Sequence, residues 1–250
     1  MSITNLKINT TSDSKSPDGT YENKKNIHAI NYLRELQKTK DNLTVLDVGG
    51  GCNIRIPEYT THVLDFLPLR EKAAGSNATL FQGDIELTDG WKEVFEYVEE
   101  NGKFDFVVCA HTLEDINAPH QVILNLRKVA DAGFICLPDK YVETCKWNAH
   151  GPAMGYGHHR WIYTIKNGKL YGYPKMGCLE YLDIHIPSRE RWLEKYNLGS
   201  QTEMTFLWKN DFDFVFLPPY QYFDHFEFTE NNRSILDDLQ DRDDVCDYWE

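Results

Sequence analysis

No stretch of this chain holds the ~18 consecutive apolar side chains that a membrane-spanning helix needs. Its first residues, Met1 to Lys7, also lack the apolar run of a secretory leader. A soluble, cytoplasmic chain with no membrane partner is the expectation. Positive charge is scarce too: 26 Lys and Arg stand against 39 Asp and Glu, giving a formal net charge of −13 and a pI near 5.1. Holding nucleic acid through its phosphates requires a basic face, so nucleic acid is not the expected partner. The six cysteines, at 52, 109, 136, 145, 178 and 246, include no CxxC or other zinc spacing. Two of them fall in predicted buried strands, and free thiols are expected.

Apolar mass is present: 41% hydrophobic and 13% aromatic residues in 250 positions suffice for one good core. Residues 1–24 are rich in Ser, Thr, Asn and Lys with a Pro-Asp-Gly turn at 17–19, and are expected to form a flexible arm. Residues 229–250 are dominated by Asp and Glu, with only Arg233 and Arg242 against them, and read as a flexible acidic tail. The span 25–228 between them is expected to be one domain.

The most informative stretch is 43–51. Leu43, Val45, Leu46 and Val48 make a short apolar run suited to a strand buried on both faces of a parallel sheet. It enters Gly49, Gly50 and Gly51, where the chain can turn tightly and a ligand can approach the main chain. Further short apolar strands follow at 61–64, 80–82, 104–109 and 133–138. The second ends at Asp65, placed to accept hydrogen bonds from two ribose hydroxyls, and the third ends at Asp84.

Helical spacing of Ile27, Ile30, Leu33 and Leu36 predicts an amphipathic helix over 25–39. A second helix is predicted from an Asp89 N-cap to Asn101-Gly102, and a third from Pro119 to Ala130, capped near Asn117 or Ala118. This alternation gives an α/β, doubly wound, mostly parallel sheet. Residues 139–180 break the pattern with Gly, Tyr, His and Trp. Two aromatic runs, 161–165 and 170–173, flank Asn167-Gly168 and predict an inserted aromatic-rich β-hairpin over the site. Ser188–Asn197 reads as a short helix, and 204–208 with 212–217 as a second hairpin.

Leu46 to Gly51, Asp65, Gly83-Asp84, Phe104 to Asp115, and a fifth strand ending in Pro138 after Leu126 to Val129 form an ordered set. It resembles the class I S-adenosylmethionine-dependent methyltransferases over roughly residues 43–140. The chain departs from the family at Asn53, where a third glycine is usual, and in the short segment from Gly51 to Asp65, which contains Pro57. The resemblance implies a Rossmann-like seven-stranded sheet closed after strand five by an antiparallel pair, which 204–208 and 212–217 would supply. It also implies S-adenosyl-L-methionine as cofactor, with Asp47, Gly49 and Gly51 at its amino-acid end, Asp65 on the ribose, and Asp84 with Ile85 near the adenine. Asp47 can equally be a structural carboxylate of the glycine turn.

For the acceptor side, His111 follows strand four and reads either as a base or as a wall residue against the cofactor. His158 and His159 lie in a Gly-flanked loop, and strand geometry would send only one of them into the site. The run from His111 to Asp115 and that from Gly155 to Trp161 together resemble a subgroup associated with glycosyltransferases and surface-glycan synthesis. That implies a small-molecule or glycan substrate, a sugar hydroxyl as acceptor, and Asp139, Arg160 and Trp161 as substrate-binding residues. Asp139, His158, His159 and Glu114 could also ligate Mg²⁺ or Mn²⁺, but no spacing demands it, and a metal-free His base is preferred.

Pro218-Pro219-Tyr220 lacks the polar first residue that an amine-binding motif needs and reads as a turn. Two rivals remain. A nicotinamide oxidoreductase would want a glycine where Ile54 stands. A non-catalytic module would use the aromatic insertion to bind a glycan or protein.

Overall fold

The computed structural model describes residues 26–68, 77–144, 154–177, 179, 203–219, 235 and 239. The predicted arm over 1–24, the helix over 188–197 and nearly all of the acidic tail lie outside the described residues. The elements, in chain order, are α1 (Ile27–Gln37), β1 (Val45–Val48), β2 (His62–Asp65), β3 (Thr79–Gln82), α2 (Lys92–Asn101), β4 (Phe106–Ala110), α3 (Pro119–Val129), β5 (Ala132–Pro138), α4 (Lys140–Glu143), β6 (Trp161–Lys166), β7 (Lys169–Pro174), β8 (Glu203–Lys209) and β9 (Phe214–Phe216). Among them no helix is long and apolar enough to cross a membrane.

Six strands form the main sheet in the order β3-β2-β1-β4-β5-β8. The first five are mutually parallel, and β8 runs antiparallel on β5. Alternation along β1 divides the core. Val45 faces α1 with Ala29, Leu33, Phe106, Val108 and Phe134, while Leu46 and Val48 face α2 and α3 with Val94, Val122, Ile123 and Leu126. Helices thus cover both faces of the sheet.

Among the described residues the sheet has six strands where seven were expected, and 204–208 with 212–217 do not pair as a second hairpin. β8 joins the main sheet, while β9 pairs parallel with β7 in a separate three-stranded sheet, β6-β7-β9. Packing between the two segments explains the divergence. Phe212 is drawn under β8, its ring 5.1 Å from Phe206 and 5.2 Å from Trp208, and the Arg127 guanidinium covers Phe212 and Phe214. Leu217 is claimed by the cluster of the second sheet. The chain therefore leaves β8 before it can fold back on it.

β6 and β7 pair antiparallel across Asn167-Gly168, both at positive φ, 49° and 72°. That is the geometry a two-residue type I′ connection requires. Tyr163, Ile165 and Leu170 join the main core, and Ile162, Tyr171 and Tyr173 build a second cluster with Met154, Leu179, Ile235 and Leu239.

Two helix starts differ from expectation. Asp89 caps nothing: Thr88–Trp91 form a 3-10 turn, and α2 begins behind it without a side-chain cap. The fully buried Trp91 explains this, because its Nε1 donates to the Ile85 carbonyl (2.8 Å) and pins the turn. At α3 the cap comes from a distant residue, Glu86, whose Oε1 accepts from Asn117 N (2.6 Å) and Ala118 N (3.0 Å). Beside that turn, a Cβ on Gly90 would overlap the Asp84 main chain. Gly90→Ala is accordingly expected to cost about 1–3 kcal/mol in chemical denaturation; an unchanged midpoint would show that the turn yields without strain.

Candidate active site

The strand order reverses between β1 and β4, so their carboxyl ends open a crevice at a topological switch point. Gly49, Gly50 and Gly51 lie on one side of it and the loop from His111 on the other. The glycines have a reason that the sequence does not display. A Cβ on Gly49, which sits at φ 82°, would meet Thr112; one on Gly50 would fall 2.6 Å from Asp47 Cγ; one on Gly51 would fall 2.6 Å from Asp65 Cγ. Three polar side chains of the protein itself fill the space that Cβ atoms would take.

Asp47 is buried, and its Oδ2 accepts from Arg55 N (2.8 Å). Burial raises its pKa from the ordinary value, against the lowering effect of the Arg55 N–H and charge, to about 7. The backbone donor is Arg55, not an N–H of the glycine turn that the structural reading of Asp47 invoked. Asp65 accepts from Gly51 N (2.8 Å) and Leu67 N (2.9 Å), one bond to each oxygen. Asp84 is exposed and accepts from Glu86 N (2.9 Å), while Ile85 is buried. Sequence reasoning missed Phe66 and Leu87, which are 63% and 59% exposed just beyond β2 and β3. The available signal was an aromatic residue following the acid at a strand end.

His111 takes a left-handed backbone, φ 50°, which turns its ring back over the sheet. Nε2 lies 2.9 Å from Glu203 Oε1 on β8, and Nδ1 lies 3.3 Å from Glu114 Oε1. Burial alone would lower its pKa, but hydrogen bonds with Cys136, Glu114 and Glu203 outweigh it and push the value up to about 12. Two carboxylates on its ring nitrogens favour the imidazolium, the form with no lone pair to act as a base. Glu203 Oε2 also receives Arg55 NH2 (2.7 Å), and the same nitrogen lies 3.4 Å from Cys136 Sγ. Arg55 Nε donates to Asn26 Oδ1 (2.8 Å), so one chain of polar contacts through Arg55 links the start of α1, Asp47 on β1, Cys136 on β5 and Glu203 on β8.

A cavity of about 310 Å³ opens beside His111 and is lined by Glu114, Asp115, Pro138, Tyr156, His158, His159 and Glu203. His111, His158 and His159 meet at one place, and both adjacent histidines line it, whereas strand geometry predicted that only one would; the pair lies in the loop before β6, where strand alternation does not apply. His159 is nearly buried, with Nδ1 2.7 Å from Glu143 Oε1, whereas His158 is exposed. Asp139, Arg160 and Trp161 do not line this cavity. Asp139 is buried and accepts from Val142 N (2.7 Å) as the N-cap of α4. Arg160 Nε and Trp161 Nε1 donate to the carbonyls of Asp115 and Ile116 (2.9 Å each), so both fasten the second sheet to the loop after β4. Asp115 and Glu143 were not singled out by the sequence.

No protein-family model matches the chain, and comparison with curated proteins finds no match. Among solved structures, the chain is similar to the N-terminal domain of EvdMO1 with SAH bound, at 18% identity over 44% of this chain and 49% of that one, TM-score 0.30. It is also similar to CrArsM, an arsenic(III) S-adenosylmethionine methyltransferase from Chlamydomonas reinhardtii, at 19% identity over 39% of each chain, TM-score 0.27. A third is the methyltransferase domain of bacterial CtHen1, at 12% identity over 48% and 69%, TM-score 0.33. The match spans about half of the EvdMO1 chain and less of CrArsM. At these identities and TM-scores the likenesses assign neither activity nor substrate.

Proposed function

We propose that the chain is an S-adenosylmethionine-dependent O-methyltransferase acting on a hydroxyl of a sugar or glycan, in the cytoplasm. The observation that carries this reading is the antiparallel β8 on β5, beside a crevice at the β1/β4 switch point. A dinucleotide-binding sheet continues its parallel series beyond the fifth strand, whereas the family that the sequence resembles closes with antiparallel strands.

The residues present fit the cofactor. Each Asp65 oxygen spends one acceptor site on the backbone and keeps another for a ribose hydroxyl. Phe66, the residue after Asp65, offers exposed apolar surface for a purine ring, and Leu87 is a second exposed apolar side chain, in the loop after β3. When bound, the cofactor would supply a sulfonium-activated methyl group for transfer to the acceptor oxygen.

The chain's own residues align the acceptor and take its proton. His159 is the base in this reading, because Glu143 holds its Nδ1 and leaves Nε2 at the cavity. His111, held between Glu114 and Glu203 with both ring nitrogens engaged, is a fixed positive charge at the cavity wall rather than a base. A lining of carboxylates, imidazoles and Tyr156 suits a polyol, whose hydroxyls both donate and accept.

Calorimetric titration with S-adenosylhomocysteine and with NAD⁺ tests the reading. The homocysteine compound is expected to bind and NAD⁺ not. Asp65→Asn, which keeps one backbone acceptor, should weaken binding by about 1.5–3 kcal/mol through loss of a charged partner. Phe66→Ala should weaken it about tenfold without loss of stability, since the ring is exposed. Binding of NAD⁺ alone, or of neither compound, would overturn the assignment.

A further inference from the structure

At the wall of the cavity His159 and Asp115 bring two acceptor atoms within 3.8 Å of each other. Glu143 is almost fully buried and divides its carboxylate between His159 Nδ1 (2.7 Å) and Lys175 Nζ (2.7 Å). A carboxylate accepts, so in the neutral ring Nδ1 carries the hydrogen and Nε2 presents its lone pair. That lone pair points to a region where Asp115 Oδ1 lies 3.8 Å away. His158 Nε2 lies 3.9 Å from the same oxygen, and the three atoms all fall within 4.8 Å of one another.

We propose that Asp115, His158 and His159 bind a divalent transition-metal ion of the Zn²⁺ type. Two imidazoles and one carboxylate suit a borderline ion far better than Mg²⁺ or Ca²⁺, which prefer all-oxygen shells. A buried carboxylate behind a ligating imidazole is the usual orienting partner in such sites, fixing the tautomer and the ring plane. Bonds of about 2.0–2.1 Å in a tetrahedral ion set ligand atoms about 3.3–3.5 Å apart, so each imidazole, now 3.8 and 3.9 Å from Asp115 Oδ1, closes on it by roughly half an ångström, and the two imidazoles, within 4.8 Å, close on each other. His158, whose side chain is 69% exposed, is free to make that adjustment.

The pair of loops that must stay together is already fastened. Arg160 N donates to the Glu114 carbonyl (2.6 Å) and Arg160 Nε to that of Asp115 (2.9 Å). The fourth coordination position opens on the cavity. The neighbouring group of His111, Cys136 and Glu203 is spaced for a metal too, but Arg55 already supplies the cation there, against both Glu203 (2.7 Å) and Cys136 (3.4 Å).

This proposal stands apart from methyl transfer and needs only the trio. It bears on the reaction in one way: an ion on His159 Nε2 occupies the nitrogen assigned above as base, so metal occupancy and metal-free proton transfer are alternatives.

The test is titration of the metal-stripped, tag-free full chain with Co²⁺, followed by its visible absorption, and with Zn²⁺ by calorimetry. One ion per chain is expected, with a Co²⁺ spectrum of low coordination number. Asp115→Ala and His158→Ala should each weaken binding at least tenfold, and Glu143→Gln, which leaves the three ligands in place, by about 10–100-fold. His111→Gln should leave it unchanged. Asp115 and His158 are exposed, so their variants retain the fold, and an unchanged circular dichroism spectrum verifies it. No stoichiometric binding, or binding indifferent to Asp115→Ala and His158→Ala, would overturn the site. Because the readout is the metal itself, failure of the cofactor titration would leave these outcomes unaffected.

Discussion

Replacing Arg55 with leucine lowers the unfolding free energy by about 3–5 kcal/mol in a urea titration. The guanidinium is the cation between β8 and the rest of the sheet, and both it and Glu203 are largely out of water, with side-chain exposures of 11% and 13%. Its loss takes the charged donor from Glu203 Oε2, which keeps the weak thiol donor Cys136 Sγ (3.5 Å), and removes the Arg55 Nε donor from Asn26 Oδ1. Most of the cost is that of a largely buried carboxylate and amide that each lose a donor water cannot readily replace. The double replacement Arg55→Leu with Glu203→Met should therefore recover more than half of the loss, although it removes one more charge. The His111 imidazolium still faces Glu203 in the single variant and limits the damage. That help is full below about pH 6.5, the ordinary histidine value, and is lost as the pH rises toward about 12. A loss under 1 kcal/mol would mean that the network contributes little to holding β8 on the sheet.

Asp47→Asn has the opposite sign and stabilises the fold at neutral and alkaline pH. Burial raises the Asp47 pKa from 3.8 to about 7, so the folded protein holds this proton more tightly than the unfolded chain does. Stability from this group accordingly falls as the pH rises from about 4 to about 7 and stays low above. An amide has no charge to desolvate, and its oxygen can still accept from Arg55 N. The variant should match the wild type near pH 4 and exceed it by about 2–4 kcal/mol at pH 8. Denaturant midpoints at the two pH values check this. A variant less stable than the wild type at pH 8 would show that Arg55 needs the charge on Asp47 more than Asp47 suffers from burial.

The sequence showed most of what is local. Strands β1 to β5 announce themselves by short apolar runs, and Asn167-Gly168 announces its turn through two residues at positive φ. The glycine turn and Asp65 were found by position, but the cause of the glycines was not: Asp47, Asp65 and Thr112 fill the Cβ space, and only the folded chain brings Thr112 there. What spacing cannot reveal is partnership at a distance. Arg55 and Glu203 are 148 residues apart, and nothing near either names the other. A charged residue between the buried Ile54 and Ile56 was the one available hint. Glu86 as the cap of α3 and Glu143 as the partner of His159 were hidden for the same reason. The parting of β8 from β9 was missed because the two segments carry hairpin chemistry, while the packing of Phe212 under Phe206 and Trp208 decides the outcome.

Four successive carbonyls after β4 receive the second sheet. Leu113 O accepts from Tyr163 OH, Glu114 O from the main chain of Arg160 and Trp161, Asp115 O from Arg160 Nε, and Ile116 O from Trp161 Nε1. On the receiving side this joint is written entirely in main-chain atoms, which every amino acid carries. Its exposed receiving position, Asp115, can therefore mutate without loosening the joint. A lineage can in this way exchange the chemistry at the mouth of the cavity, and with it the molecule accepted there, while the two halves of the protein stay in register.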